Sequence, residues 1–339
     1  MDIAIIGLGY WGPNLVRNFS AIKEVNKIIC CDINQKRLSL IKLKYPNVET
    51  TNDFDQLLKN YKFDALVICT PVGSHYKFAK AALNAGKHVW VEKPFTVSSK
   101  NAEDLIALSE KKNLKIFVDH TFIYTGAVRK IKDIVDKGEL GDVIYFDSVR
   151  INLGLFQHDV NVLWDLACHD LSIMNYILPE NKITGIAANG IANFYDHENV
   201  AYLSLYFENN CFAHIHSNWT APVKIRRTIV GGKKKMLVYD DTENVEKIRV
   251  YDSGVLMKKD EEDESIHEAL VQYRIGDMYS PKVSHTEALS LATREFVDAI
   301  NEDRVPLTNA YDGLKIVRIL EAADKSIKER GKIIEFNGK

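Results

Sequence analysis

Asp2-Ile3-Ala4-Ile5-Ile6-Gly7-Leu8-Gly9-Tyr10-Trp11-Gly12-Pro13 is the stretch whose reading decides the fold of this chain. Its first five residues form a short apolar, β-branched run of the kind that fills a buried parallel strand. The run passes directly into a G-x-G-x-x-G turn. Pro13 stands where the first helical turn belongs, a place where its missing N–H costs nothing. Leu15, Val16 and Phe19 follow at helical spacing. Strand, glycine turn and helix thus come in the order that a dinucleotide diphosphate requires. Gly7 permits the tight turn, Gly9 lets the phosphates approach the backbone, and Gly12 lets the helix pack on the strand. The helix start adds free N–H groups and the positive end of a dipole. Gly7, Gly9, Tyr10, Trp11 and Gly12 are therefore the expected lining of a cofactor site.

The next strand bears on that reading. Residues 27–31 read as a second buried strand, and Asp32 ends it, twenty positions after Gly12. At that spacing a carboxylate accepts hydrogen bonds from the adenosine ribose hydroxyls and repels a 2′-phosphate. NAD is the expected cofactor. Arg37 stands near enough to soften the preference and keep NADP possible. The alternative is an ordinary turn in which Asp32 caps a helix around 35–42.

Strands and helices go on alternating. Helices are expected over 53–61, 74–85 (closed by Gly86) and 98–112, and strands over 65–69, 88–91 and 115–118. Repeated β-α units of this length give a doubly wound parallel sheet, here a Rossmann domain over residues 1–120. The pattern then changes. A helix over 127–137, a strand over 143–149 and a helix over 162–177 precede extended segments over 183–192, 200–207, 212–219, 224–230, 235–239 and 245–251. Successive strands without helices between them point to a mainly antiparallel sheet, so residues 121–339 are expected to form an α+β domain. Gly231-Gly232 reads as a hairpin turn, and the acid run 260–264 as a solvated loop. Helices over 285–301 and 310–330 close the chain and can pack back on the Rossmann domain.

The 339 residues, 46 % hydrophobic and 27 % charged, suit two globular domains with a substantial core. A net charge of −2 gives no electrostatic reason to expect nucleic acid or an anionic membrane as a partner. The five cysteines form no C-x-x-C pair and read as reduced core thiols. With no basic, apolar leader and no run of about 18 apolar residues, the expected compartment is the cytoplasm. His214 and His216 share a strand face without further ligands nearby, so no metal is expected.

A dinucleotide needs a reacting partner beyond the carboxyl ends of the strands. Thr70-Pro71-x-x-x-His75 follows one strand there and Glu92-Lys93-Pro94 the next. A lysine held beside a cofactor can hydrogen-bond a sugar hydroxyl or a developing alkoxide. The competing reading of Lys93 is a surface lysine before a turn proline. In the second domain Asp165 and His169 stand four apart, on one face if the segment is helical. A carboxylate and an imidazole so placed can bind and deprotonate an alcohol while hydride leaves its carbon. They can equally be a surface pair. Arg150 and Asn152, leaving the strand before that helix, are candidate contacts for an anionic substrate.

Taken together, Gly7–Gly12, Thr70-Pro71 with His75, Glu92-Lys93-Pro94 and Asp165-x-x-x-His169 resemble the glucose–fructose oxidoreductase and inositol dehydrogenase (Gfo/Idh/MocA) family over essentially the whole chain. The resemblance implies that Lys93 and His169 are the catalytic pair and that Asp165 binds the reacting hydroxyl. It also implies an open-faced sheet in the second domain, used for homodimer or homotetramer contacts. The family pattern D-x-G-x-H-x-x-D has Ala167 and Ser172 here in place of the glycine and the last acid, which bears on substrate positioning. Gly9-Tyr10-Trp11-Gly12-Pro13-Asn14-Leu15, His120-Thr121-Phe122 and Tyr124 resemble members that oxidise or reduce C3 of a nucleotide-linked hexose in surface polysaccharide pathways. On that resemblance Thr70, Pro71, His75, Glu92 and Lys93 join the cofactor contacts, and Tyr124 the substrate contacts. A free cyclitol or aldose dehydrogenase, and a non-catalytic dinucleotide sensor on the same fold, are the alternatives.

Overall fold

The computed structural model describes residues 1–154, 156–157, 159–194, 196–257 and 271–336. The acid run 260–264 and His158 lie outside the described residues. The chain divides into two compact units, Met1–Thr125 with Thr286–Glu321 and Gly126–His285 with Ala322–Lys339. Residues 286–321, from the closing helices, thus count with the first unit. No helix among the described residues is long and apolar enough to cross a membrane.

In the first unit β1 (Asp2–Ile6), α1 (Gly12–Ser20), β2 (Lys27–Cys31), α2 (Gln35–Lys44), β3 (Glu49–Thr51), α3 (Phe54–Asn60), β4 (Ala65–Ile68), α4 (His75–Asn84), β5 (His88–Glu92), α5 (Ser99–Lys111) and β6 (Ile116–Asp119) follow one another. The strands run parallel in the order β3-β2-β1-β4-β5-β6, reversing direction of growth between β1 and β4. Helices on both faces explain why the strands are continuous apolar runs: Ile3, Ala4, Ile5 and residues 65–68 have no exposed surface. Helix starts follow local chemistry. Asn34 accepts from Lys36 N and Arg37 N, Asp53 from Gln56 N and Ser98 from Asn101 N.

The second unit opens with α6 (Gly126–Asp136) and β7 (Val143–Leu153). The single helix expected over 162–177 is in fact a π turn, Leu163–Ala167, running into α7 (Cys168–Ile177). Then come β8 (Ile183–Ile191), β9 (Val200–Phe207), β10 (Phe212–Asn218), β11 (Thr220–Gly232), β12 (Met236–Asp240), β13 (Ile248–Tyr251), β14 (Gly254–Met257), β15 (Val271–Arg274) and β16 (Met278–Tyr279). Gly231 and Gly232 are not the hairpin turn. They end β11, and Gly232 N bonds to Lys235 O at 2.9 Å across the turn. A Cβ on Gly231 would lie 2.0 Å from the Tyr145 ring and one on Gly232 2.2 Å from Leu140 O. These glycines serve close packing instead.

The chain ends with α8 (Ala288–Asn301), α9 (Ala310–Lys328) and β17 (Ile334–Glu335). Helix α8 belongs to the first unit because its Phe296 completes an aromatic core: Trp90 stacks on Phe117 at 4.1 Å, with Phe19 and Phe296 edge-on at 5.7 and 5.6 Å from Trp90. Burying such a ring contributes about 1.5–3 kcal/mol, and Glu24–Arg294 at 2.8 Å adds a tie at the surface. In the second unit β17 pairs with β8 at one edge of a nine-stranded sheet, β16-β13-β12-β11-β7-β10-β9-β8-β17. Only β7 and β10 run parallel among those neighbours. Along β9, Ala201, Leu203, Leu205 and Phe207 are buried while Tyr202 and Tyr206 are exposed, so one face of this sheet is core and the other open.

Candidate active site

In the first unit the glycine turn has the shape its sequence implies. Gly7 has φ +92°, and a Cβ there would meet Cys69 O at 2.6 Å. A Cβ on Gly12 would lie 2.1 Å from Gly7 O, so only glycine allows α1 to start against the strand end. At Gly9 nothing lies within 4 Å of a built Cβ. The surface there is open to an approaching diphosphate, and α1 has no side-chain cap on its first amides. Asp32 is 5 % exposed and accepts from Leu8 N at 2.6 Å and Asn34 N at 2.7 Å. It does not cap α2, which is the work of Asn34. Two backbone bonds leave the Asp32 carboxylate further lone pairs for ribose hydroxyls, and Arg37 stands 3.5 Å away. Tyr10 is exposed beside the turn. The cradle, the uncapped amides and the carboxylate fit a dinucleotide.

At the same edge of the sheet, the ends of β4, β5 and β6 carry the second half of the site. Thr70 Oγ1 shares a 2.6 Å hydrogen bond with Ser74 Oγ. His75, expected as a cofactor contact, is 1 % exposed. Its Nε2 lies 2.8 Å from Thr70 O and its Nδ1 3.0 Å from Pro94 O, so it ties the Thr70-Pro71 loop to the Glu92-Lys93-Pro94 loop from behind. Tyr124, expected at the substrate, is buried in the core, its hydroxyl 3.1 Å from Thr308 Oγ1. Both corrections have one cause: chain that follows a strand end can turn inward as well as outward.

Asp119, which the sequence reading did not single out, completes this edge beside Glu92. Register pairs Glu92 with Asp119, the last residues of β5 and β6. Burial, and next the neighbouring Asp119 charge, push the Glu92 carboxyl well above the usual carboxyl range. Asp119 accepts from Thr121 Oγ1 at 2.6 Å and from Trp11 Nε1 of the glycine turn at 3.4 Å. His120 is buried, and burial with the Lys93 charge pushes its imidazole down to about 3. Acids ending two consecutive strands were the available signal.

In the second unit Asp165 lies in the π turn, and half-buried His169 in the first turn of α7. Asn161 holds the turn: its Oδ1 accepts from Leu163 N at 3.1 Å and Trp164 N at 3.3 Å, and its Nδ2 donates to Asp324 at 2.8 Å. Trp219 Nε1 donates to Asp165 Oδ2 at 3.0 Å and so orients that carboxylate. The wider π turn replaces the regular helical spacing assumed for Asp165 and His169, and such turns recur at functional sites. Asn152 is half-buried on β7. Arg150, expected to meet an anionic substrate, is 3 % exposed and donates from Nε and Nη2 to both oxygens of Asp170 at 2.8 and 2.9 Å. It faces α7 because strand alternation puts it on the core side of β7, with Ser148. Among the described residues no three His, Cys, Asp or Glu side chains could hold a metal ion.

Comparison with known proteins agrees with this architecture. Residues 1–120 match the model of an oxidoreductase family with an NAD-binding Rossmann fold, and residues 128–238 that of the GFO/IDH/MocA C-terminal domain. The scyllo-inositol 2-dehydrogenase (NADP(+)) IolW of Bacillus subtilis (strain 168) is 22 % identical over 98 % of this chain and 96 % of its own. Among solved structures, GenD2 from gentamicin A biosynthesis in complex with NAD superposes with a TM-score of 0.83 at 18 % identity, over 99 % of this chain and 96 % of that one. UDP-N-acetylglucosamine 3-dehydrogenase GnnA from Acidithiobacillus ferrooxidans reaches 0.79 at 20 % identity, over 97 % and 98 %. With both domain models matched, and with the glycine turn built for a dinucleotide, this chain belongs to the Gfo/Idh/MocA family of NAD(P)-dependent oxidoreductases.

Proposed function

We propose that this oxidoreductase interconverts a secondary alcohol and a ketone of a sugar, at C3 of a nucleotide-linked hexose, with NAD as the preferred cofactor. The observation that carries the reading is the Asp165 carboxylate, held by Trp219 in a π turn that leads straight to His169. A fixed acceptor beside an imidazole binds an alcohol and takes its proton. In this reading His169 is the acid/base, Asp165 holds a hydroxyl and orients the sugar, and Lys93 polarises the reacting oxygen. Bound NAD supplies the hydride acceptor. Asp32 favours NAD over NADP by repelling a 2′-phosphate. The likeness to GnnA supports a nucleotide sugar. A second copy of the chain on the open face of the nine-stranded sheet, with exposed Tyr202, Tyr206 and Phe212, completes the proposal.

One observation favours a second reading. Arg150 is committed to Asp170, which removes an expected cation for a substrate diphosphate, and a free cyclitol needs none. IolW supports that alternative. A thermal-shift and turnover screen with NAD, UDP- and dTDP-sugars and free inositols separates the two, because only a bound ligand raises the melting temperature by mass action. A shift and C3 oxidation with a sugar nucleotide support the first reading, and turnover of an inositol alone the second. On either, Lys93→Ala and His169→Ala each lower kcat by about two to four orders of magnitude with NAD affinity nearly intact. Normal turnover in either variant removes that residue from the mechanism.

A further inference from the structure

Glu92 and Asp119 meet because β5 and β6 end in register. Asp119 has no exposed surface and Glu92 Oε1 is buried, and two buried carboxyls at neighbouring strand ends repel when both ionise, so one proton stays with the pair. Glu92 is the more strongly raised of the two. Burial raises it first and the Asp119 charge next, while Asp119, also raised by burial, is pulled back by its bonds from Glu92, Thr121 and Trp11. Glu92 Oε1 is buried with no hydrogen-bond partner among the described residues.

Charged and titratable groups of the neighbouring elements act on the pair. Lys93, next along from β5, acts electrostatically on both carboxyls. Cys69, at the end of β4, has its thiol pushed up by burial and by the two carboxyls. His120, beyond β6, is held neutral by burial. Trp11 and Thr121 contribute only neutral donors. The proton of such a pair is sensitive to any charge added nearby.

Strand order places the pair in the cofactor site. In a sheet ordered β3-β2-β1-β4-β5-β6 the two mononucleotides occupy opposite halves. Asp32, ending β2, marks the adenosine half, which leaves the β4–β6 edge for the nicotinamide half. An oxidised nicotinamide carries a positive charge and a reduced one does not.

We propose that Glu92 and Asp119 hold one proton between them that leaves when oxidised cofactor binds and returns when the cofactor is reduced, so that this edge of the sheet tracks the redox state of the nicotinamide by charge. The step balances. Alcohol, NAD⁺ and the doubly ionised pair become ketone, NADH and the singly protonated pair. The hydride takes two electrons to the nicotinamide, the hydroxyl proton leaves by way of His169 to solvent, and the pair regains from solvent the proton it released on binding. The net charge of cofactor plus carboxyls is unchanged across the reaction. Nothing here depends on which alcohol is the substrate.

The test counts protons. Calorimetric titration of the full chain with NAD⁺ and with NADH, in phosphate and in Tris at one pH near neutrality, gives the protons exchanged on binding from the difference between buffers. The expected result is a release with NAD⁺ that exceeds that with NADH by about half a proton or more, together with a Kd for NAD⁺ that tightens with rising pH by up to about tenfold per unit. Glu92→Gln and Asp119→Asn should each abolish the difference. Equal proton counts for the two cofactors in the unmodified protein overturn the proposal, as does persistence of the difference in both variants. A failed sugar-turnover screen would defeat the function proposed above and leave the proton count standing. Normal turnover with equal counts would defeat this inference alone.

Discussion

Arg150 and Asp170 lock α7 to β7: the guanidinium donates to both oxygens of the carboxylate, at 2.8 and 2.9 Å, and the two side chains are 3 % and 2 % exposed. The pair stands one residue beyond His169, so the imidazole is carried by a helix whose first turn is pinned to the sheet. Net stability from such a pair is small, because desolvating both ions offsets their attraction. Breaking it is another matter, since one charge is then left buried alone.

Asp170→Asn should therefore cost about 3–5 kcal/mol in urea denaturation. The double variant Arg150→Met with Asp170→Leu, which removes both charges, should recover most of that loss. A single variant within about 1 kcal/mol of the parent would show that the pair is no lock.

Trp219→Phe keeps a smaller buried aromatic ring and deletes the N–H that holds Asp165. If that bond aims the carboxylate at the substrate, kcat should fall about tenfold while the Kd for NAD stays within about twofold. Unchanged kcat would leave Trp219 as core packing and nothing more.

Asp32→Asn retains an oxygen able to accept from Leu8 N and removes the charge. The ratio of NADP to NAD dissociation constants, read by fluorescence titration, should narrow by about tenfold or more. An unaltered ratio would place the cofactor preference elsewhere in the turn, and Arg37, 3.5 Å from Asp32, would be the next residue to change.

His120 makes the fold sensitive to acid. Its imidazole is pushed down to about 3 by burial and the Lys93 charge, whereas in the unfolded chain it titrates near its ordinary value. The folded state thus binds fewer protons, so its stabilising contribution is complete above about pH 6.5 and is lost as pH falls toward 3. Between pH 7 and 5 this group alone should remove about 2 kcal/mol. Urea denaturation of His120→Phe at those two values should show a decline smaller by that amount, and an equal decline would mean that His120 titrates normally in the fold.

The sequence by itself determined whatever depends on neighbours along the chain. The turn at Gly7–Gly12 needs a positive φ at Gly7 and no Cβ on Gly12 against Gly7 O, and those demands are local. The apolar runs of β1, β2 and β4 specify a sheet covered on both faces, and Asp53 and Ser98 mark where two helices begin. Only the tertiary structure decided which polar groups reach the site and which serve the core. Arg150 is claimed by Asp170, Tyr124 by Thr308 and His75 by two loop carbonyls. Each partner is brought there by packing between elements distant in sequence. The same reason hid the Glu92–Asp119 pair, which exists because parallel strands 27 residues apart in sequence end at one level. A buried polar side chain takes the partner that removes its desolvation cost, and that partner is set by the fold.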